Sequence, residues 1–429
     1  MKVIIPYGKV KLPIEVEKQN LGEEIHSMKV EKRNEDKLIE DAIKNPIKSE
    51  ALTDFLKGGK NILIIVNDGT RPTPTAKVLK RIRKYLEGLP FKFIIATGAH
   101  RAPTEEEYNF IFGDLYNEFG DRIYVHDAKK KEDMVYLGES RNGTPMWVNK
   151  LGVEADRILI IGSVEPHYFA GFTGGRKAFL PGIASYETIE ANHKFALEEN
   201  AKALNLENNP VHLDMVDAIK TIKNKKIFSI QTVLDKDKNI YDVKTGDINE
   251  SFNAAIKSAK EVFCVNIKQK YDIVVTIAPY PMDVDLYQSQ KAIDNAKYAL
   301  NENGIMILIS ECRTGIGDET FFNLMKECET IEEVFEKIKT GYKLGYHKAA
   351  KIMEIMRWAQ IWAVTNLNPD LLESILIKPF DSIQDAIETA VQQKGMDTKI
   401  LFLIEGSVTI PIVSSDEKPP ESIIKDLKF

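Results

Sequence analysis

Five short segments of the 429-residue chain combine residue types suited to acid–base, nucleophilic and anion-binding chemistry. The first is Asn67-Asp68-Gly69-Thr70-Arg71-Pro72-Thr73-Pro74. Gly69 permits a tight turn, Pro72 and Pro74 stiffen the loop, and Arg71 is a fixed cation suited to a carboxylate or phosphate. Asp68 can accept a hydrogen bond from a hydroxyl. Read alone, the segment also fits an ordinary β–α turn with Asp68 and Thr73 as local caps. The second segment, Thr97-Gly98-Ala99-His100-Arg101, offers an imidazole, a natural general base near neutral pH, although a lone histidine is equally compatible with a structural or solvated role.

The third segment is the most specific. It carries five glycines in the 21 residues 162–182, too many for a covering helix, together with Glu165, His167, Arg176 and Lys177. The spacing matches neither a Walker A loop nor a dinucleotide-binding glycine motif. A long Gly-rich loop holding one histidine and one lysine suits a wrapped ligand. A neighbouring cation, Arg176, would favour the neutral, nucleophilic form of the Lys177 amine. The alternative is a surface loop with a solvated Arg-Lys pair. In the fourth segment, Ser185 and Thr188 resemble a helix start, which puts His193 about two turns in, as a metal ligand or a surface histidine. The fifth, residues 285–291, places Gln288 and Lys291 in the first turns of a helix, where free N–H groups favour anions, or where a lysine is simply solvated.

These segments need strands to present them. Residues 61–66 (NILIIV), 91–96 (FKFIIA), 123–125 and 157–161 (RILII) read as continuous apolar strands, with a Lys/Arg-bearing amphipathic helix over 75–89. Such alternation predicts a parallel sheet covered on both faces. Helices are expected over 34–45, 51–56, 186–199, 210–222 and 248–262. A second unit opens with a strand at 271–278, followed by a helix at 289–301, a strand at 304–310, helix-rich sequence to about residue 360 and a strand at 399–404. The expected fold is therefore α/β, with two domains that are each a mostly parallel, doubly wound sheet and with the active site in the cleft between them. Their boundaries are residues 1–268, including an opening hairpin around Pro6-Tyr7-Gly8, and 269–408. A tail over 409–429 stays with the second domain or returns to the first. In doubly wound folds ligands sit beyond the carboxyl ends of the strands, which is where the first three segments fall.

Composition narrows the class. Lys plus Arg is 58 and Asp plus Glu is 64, a net charge of -6 with interspersed signs, which argues against nucleic acid or an anionic membrane as partner. No apolar run approaches a membrane span and the N-terminus lacks a signal-peptide core, so a cytoplasmic location is expected. The three cysteines (Cys264, Cys312, Cys328) have no metal-ligand spacing. Among the seven histidines, His126 reads as part of a solvated turn, and His26, His212 and His347 lack sequence partners.

Taken together, NDGTRPTP (67–74), GAHR (98–101), SVEPHYFAGFTGGRKAFLPGI (163–183), EANH (190–193) and LYQSQKA (286–292) resemble the nickel-pincer lactate racemases and their 2-hydroxy-acid racemase and epimerase relatives, in the family's order and across both domains. The resemblance implies a nickel-pincer nucleotide, Ni(II)-pyridinium-3,5-bisthiocarboxylic acid mononucleotide, joined to Lys177 through a thioamide, with His193 as nickel ligand. It implies His100 and His167 as an acid/base pair, cofactor contacts from Asp68, Gly69, Thr70 and Arg71, and substrate contacts from Arg71, Gln288 and Lys291. A tryptophan near the cofactor, Trp358 or Trp362, is also implied, as are cofactor-biosynthesis enzymes as partners. The implied reaction is interconversion of D- and L-lactate through pyruvate by hydride transfer. The same chemistry on malate, a longer or aromatic 2-hydroxy acid or a sugar acid is the alternative. A metal-dependent hydrolase using His100, His167 and His193, or a non-catalytic nucleotide-binding protein, would belong to a different class.

Overall fold

The computed structural model describes residues 1–223 and 225–414. They form two compact units, one of Lys29–Val262 and one joining Met1–Met28 to the chain from Phe263 onward. The chain opens with the antiparallel hairpin of β1 (Lys2–Tyr7) and β2 (Val10–Glu15), then β3 (Leu21–Ile25).

The Lys29–Val262 unit is built on β4 (Ile62–Asn67), β5 (Phe91–Ala96), β6 (Ile123–Val125), β9 (Arg157–Ser163), β12 (Lys226–Leu234) and β13 (Ile240–Gly246). Between β6 and β9 lies a hairpin, β7 (Met134–Glu139) and β8 (Pro145–Asn149); after β9 comes a two-residue pair, β10 (Pro166–His167) and β11 (Gly171–Phe172). The main sheet runs β13-β12-β9-β4-β5-β6 and is parallel except for β13. Its period-2 geometry is visible in the packing. Ile62, Ile64 and Val66 face one way, into a core with Phe93, Ile95, Leu159 and Ile161 under Ile39, Phe55, Val78, Ile82 and Phe112. Leu63, Ile65, Ile94 and Ile158 on the opposite face are 0–1% exposed as well, so both faces are covered. Each such buried aliphatic side chain contributes about 1.5–3 kcal/mol.

Strands β12 and β13 are absent from the sequence reading. Ser229, Gln231 and Thr232 interrupt the apolar run of β12, yet all three are fully buried, and Ser229 Oγ lies 2.6 Å from Ser251 Oγ. His126 is a second difference. It is 2% exposed, with Nε2 2.9 Å from the Ala184 carbonyl, and burial pushes its pKa down to about 4. It is a buried neutral core group rather than part of a solvated turn.

The other unit continues with β14 (Cys264–Ile267), β15 (Tyr271–Ile277), β16 (Leu300–Ile309), β17 (Gln360–Val364), β18 (Lys378–Pro379), β19 (Ile400–Leu403) and β20 (Ile410–Val413). Its sheet, β18-β17-β16-β15-β19-β3, is parallel throughout. One assignment from sequence changes here. Residues 1–28, expected in the first domain, belong to this unit: β3 pairs with β19, and Val3, Ile5, Ile14 and Val16 of the hairpin enter the core with Ile273, Ile307 and Phe402. An edge strand and a hairpin carry no local mark of which sheet they will join. The tail from 409 remains here as far as Val413, because β20 pairs in parallel with β14, and residues 415–429 lie outside the described set. Among the described residues no helix is long and apolar enough to cross a membrane.

Candidate active site

Strands β4 and β9 are neighbours from which the sheet is wound in opposite directions, β5 and β6 to one side and β12 and β13 to the other. A crevice therefore opens beyond their carboxyl ends. The loop after β4 is Asp68–Arg71, the loop after β5 carries His100, and the long Gly-rich loop follows β9. Thr73 Oγ1 and Ser163 Oγ, 2.9 Å apart and buried, tie the β4 and β9 loops together, and Arg71 Nη1 lies 3.4 Å from Glu165 Oε1. The Gly98 N–H donates to the Gly182 carbonyl at 3.0 Å, which ties the β5 loop to the same Gly-rich segment.

Asp68 is 5% exposed. It accepts from Thr70 Oγ1 at 2.7 Å and lies 2.7 Å from His100 Nδ1. Burial pushes the Asp68 carboxyl up, but the bonds and charges of His100, Thr70 and Arg71 outweigh it and hold the group below the usual carboxylate range. An ionised Asp68 can only accept, so Nδ1 of His100 carries a proton, which leaves Nε2 as the ring atom at which a proton could be exchanged. Half of the His100 side chain is exposed, so the ring is open to a ligand. Gly69 sits against Glu107, whose Cγ is 2.4 Å from where a Cβ would be, so its lack of a side chain serves packing.

The Gly-rich loop is fixed at several points. Thr173 Oγ1 donates to the Ser163 carbonyl at 2.9 Å and accepts from the Glu165 N–H at 2.9 Å. Gly174 and Gly175 take φ of +85° and +53°, and the Gly175 N–H donates to Gln231 Oε1 at 3.2 Å. Four residues, Gly175–Ala178, then form a 3-10 turn. The Arg176-Lys177 pair is not solvated: Arg176 is 3% exposed and bonded to carbonyls of its own loop.

Phe169, 2% exposed, is the hub that sequence reasoning missed. His167 packs edge-on to its ring at 4.5 Å, His193 at 5.0 Å, and Lys177 Nζ stands 5.5 Å from the ring centroid. His167 Nδ1 accepts the Ala170 N–H at 3.3 Å. His193 ends the helix Tyr186–Lys194, capped by Ser185 Oγ, which accepts the Thr188 N–H. Burial, reinforced by the positive charge of Lys177, pushes its pKa down to about 3, so it is a neutral imidazole, the form a metal binds. Among the described residues no group of three or more His, Cys, Asp or Glu could hold a metal ion. His100, His167 and His193 therefore do not form such a group.

Gln288 and Lys291 belong to the other unit. They lie on the helix Leu286–Ala296, which follows β15 at the carboxyl edge of that sheet. Asp285 caps it, taking the Gln288 N–H at 2.6 Å. Lys348, not singled out from sequence, is buried there, donates to the Tyr287 carbonyl at 2.5 Å and stands 3.7 Å from the Tyr287 ring centroid. Burial, then the charge of Lys291, lowers its pKa well below the usual lysine range. Neither tryptophan is at this edge: Trp362 is 1% exposed in the core, and Trp358 precedes the amino end of β17.

Comparison with known proteins gives a consistent picture. The model of the lactate racemase N-terminal domain matches residues 7–205, and that of the lactate racemase C-terminal domain matches residues 265–411. The lactate racemase of Thermoanaerobacterium thermosaccharolyticum is 33% identical over 417 residues, 94% of this chain and 97% of the relative. That of Lactiplantibacillus plantarum is 31% identical with the same coverage. The solved lactate racemase apoprotein from T. thermosaccharolyticum superimposes with a TM-score of 0.89 at 32% identity, covering 96% of this chain and 100% of that one. A Thermotoga maritima protein shares the fold at TM-score 0.68 and 19% identity, over 89% of this chain and 98% of its own.

Proposed function

This chain belongs to the lactate racemase family, and from that premise we propose that it interconverts D- and L-lactate by hydride transfer, with His100 and His167 exchanging the hydroxyl proton. The observation that carries this reading is the set of side chains at one end of one sheet: the Asp68–His100 pair at 2.7 Å, and His167, Lys177 and His193 around Phe169. Lactate resists racemisation by loss of its C2 proton, because a carboxylate scarcely acidifies the adjacent C–H. Loss of hydride from C2 and of a proton from the hydroxyl yields planar pyruvate instead, which can take hydride back on either face.

The residues fit a nickel-pincer nucleotide. Lys177 Nζ stands beside an apolar ring at the end of a constrained turn, where it would form the thioamide, and neutral His193 would ligate nickel. When bound, the cofactor supplies a carbon that accepts hydride and returns it. His100, its Nε2 lone pair exposed and its Nδ1–H held by Asp68, takes the hydroxyl proton of one enantiomer, and His167 serves the other. Arg71 holds the carboxylate through both half-reactions, with Gln288 and Lys291 as further substrate contacts. Asp68, Gly69 and Thr70 complete the cofactor-side loop. The cofactor-biosynthesis enzymes are the partners this reading requires.

The test is an intact mass, with peptide mapping, of protein co-expressed with those enzymes, followed by a panel of D- and L-2-hydroxy acids. A nickel- and sulfur-containing adduct on Lys177 with racemisation of lactate is expected. An adduct with turnover only of malate, aromatic 2-hydroxy acids or sugar acids moves the substrate but keeps the chemistry. An unmodified, inactive chain from a host whose cofactor enzymes activate a known lactate racemase overturns the reading.

A further inference from the structure

The Gly-rich loop holds a buried cation that the chemistry above does not use. Arg176 is 3% exposed, and burial is the cause of its lowered pKa, with no carboxylate contributing. A charge so placed is costly unless it is hydrogen-bonded. Its Nη2 donates to the carbonyls of Ala170 at 2.7 Å and Phe172 at 2.9 Å, its Nη1 to that of Gly174 at 3.2 Å, and the guanidinium lies 4.6 Å from the Phe252 ring centroid. One side chain thus gathers three carbonyls of the segment leading into the turn. The Arg176 carbonyl in turn accepts the N–H groups of Phe179 and Leu180, so the same residue organises the exit.

Arg176 and Lys177 are consecutive in the 3-10 turn Gly175–Ala178. At three residues per turn their side chains diverge by about 120°. With Arg176 pinned inward on carbonyls, the rotation of the turn is set, and Lys177 is delivered to the Phe169 ring, where its charge reaches His193. We infer that Arg176 is the positioning residue for Lys177, a clamp that sets the turn before anything is attached and so presents the amine for modification. This rests on the reading of Lys177 as the attachment point. Lysine cannot replace the clamp, because three divergent carbonyls need a planar fork of donors and a buried ammonium with no partner carboxylate sheds its proton.

The test compares wild type, Arg176→Lys and Arg176→Ala. In the apoprotein, amide hydrogen exchange over residues 170–182 is expected to rise about tenfold or more in both variants, with β4 unchanged. After co-expression with the cofactor-synthesis enzymes, the fraction of Lys177 carrying the adduct, read by intact mass, falls by a similar factor. Guanidinium ion at a non-denaturing concentration restores adduct formation in Arg176→Ala, but not in Arg176→Lys, where an amine fills the space. Phe252→Leu, which removes only the aromatic face beneath the guanidinium, gives weaker changes of the same sign and serves if the Arg176 variants do not fold. Wild-type exchange and wild-type adduct yield in Arg176→Lys overturn the clamp. An unmodified Lys177 in wild type overturns the attachment reading, while the exchange rates still decide the clamp.

Discussion

Asp68→Asn isolates the charge behind His100. The carboxylate is 5% exposed, 2.7 Å from His100 Nδ1, and bonded to Thr70 Oγ1 at 2.7 Å, so the near-isosteric amide keeps the packing. What changes is the proton inventory. A carboxylate can only accept, which puts the proton on Nδ1; an amide can also donate to Nδ1, which moves the ring proton to Nε2 and removes the lone pair the base needs. A hydrogen bond to a charged group is worth about 1.5–3 kcal/mol, or roughly 10- to 150-fold in rate. Steady-state rates cannot assign this loss to one enantiomer. The equilibrium constant of a racemisation is one, so kcat/KM falls equally in both directions. Single-turnover formation of pyruvate by the loaded enzyme, from D-lactate and L-lactate separately, does separate them. One enantiomer is expected to slow by roughly 10- to 150-fold and the other to stay near wild type. Equal slowing of both, or of neither, would refute the pairing of one histidine with one enantiomer.

Three further outcomes follow from the same geometry. Lys177→Ala and Lys177→Arg should both yield protein of unmodified mass, since a guanidinium is no nucleophile at neutral pH; an adduct in either sinks the covalent attachment. His193→Ala should lose nickel on gel filtration while Lys177 keeps its organic adduct; full nickel retention by elemental analysis would remove His193 as ligand. The pH dependence of stability has a definite sign. His126, at about 4 in the fold against an ordinary 6.5, binds its proton more readily when unfolded, so its contribution is whole above pH 6.5 and is lost as the pH falls toward 4, by about 3 kcal/mol in all. Urea midpoints of the wild type should therefore drop across that range more steeply than those of His126→Gln, and parallel slopes would contradict the assignment.

How much of this could be read in the chain varies with the kind of signal. Runs such as NILIIV and FKFIIA declare buried parallel strands because both of their faces are covered. β12 does not, because Ser229, Gln231 and Thr232 are buried as partners of other groups, including the Gly175 N–H, and polarity hides their burial. Membership of residues 1–28 in the later unit is settled by pairing between β3 and β19, some 380 residues apart in the chain, which no local pattern encodes. At the site, loops after strands could be found from sequence, but their cross-links could not. Asp68 reads as a cofactor contact and is bonded to His100; Arg176 reads as a cation acting on Lys177, or as half of a solvated pair, and is buried on carbonyls of its own loop; Phe169 reads as one more apolar residue of its loop and touches three of the groups that matter. Hydrogen-bond partners and ring contacts are properties of the closed fold.

The order of the strands explains why the loops of His100, His167 and Arg71 leave the same edge of one sheet. β4 lies between β9 and β5. Its own loop carries Asp68 and Arg71, while His167 follows β9 on one side and His100 follows β5 on the other. Neighbouring strands are about 4.8 Å apart, so the two outer strands leave about 10 Å between the origins of their loops. In the proposed reaction that separation would leave room for a three-carbon acid held by its carboxylate on the central loop, with a histidine on either flank. The Nδ1 atoms of the two histidines also have different partners, the Asp68 carboxylate for His100 and the Ala170 N–H for His167.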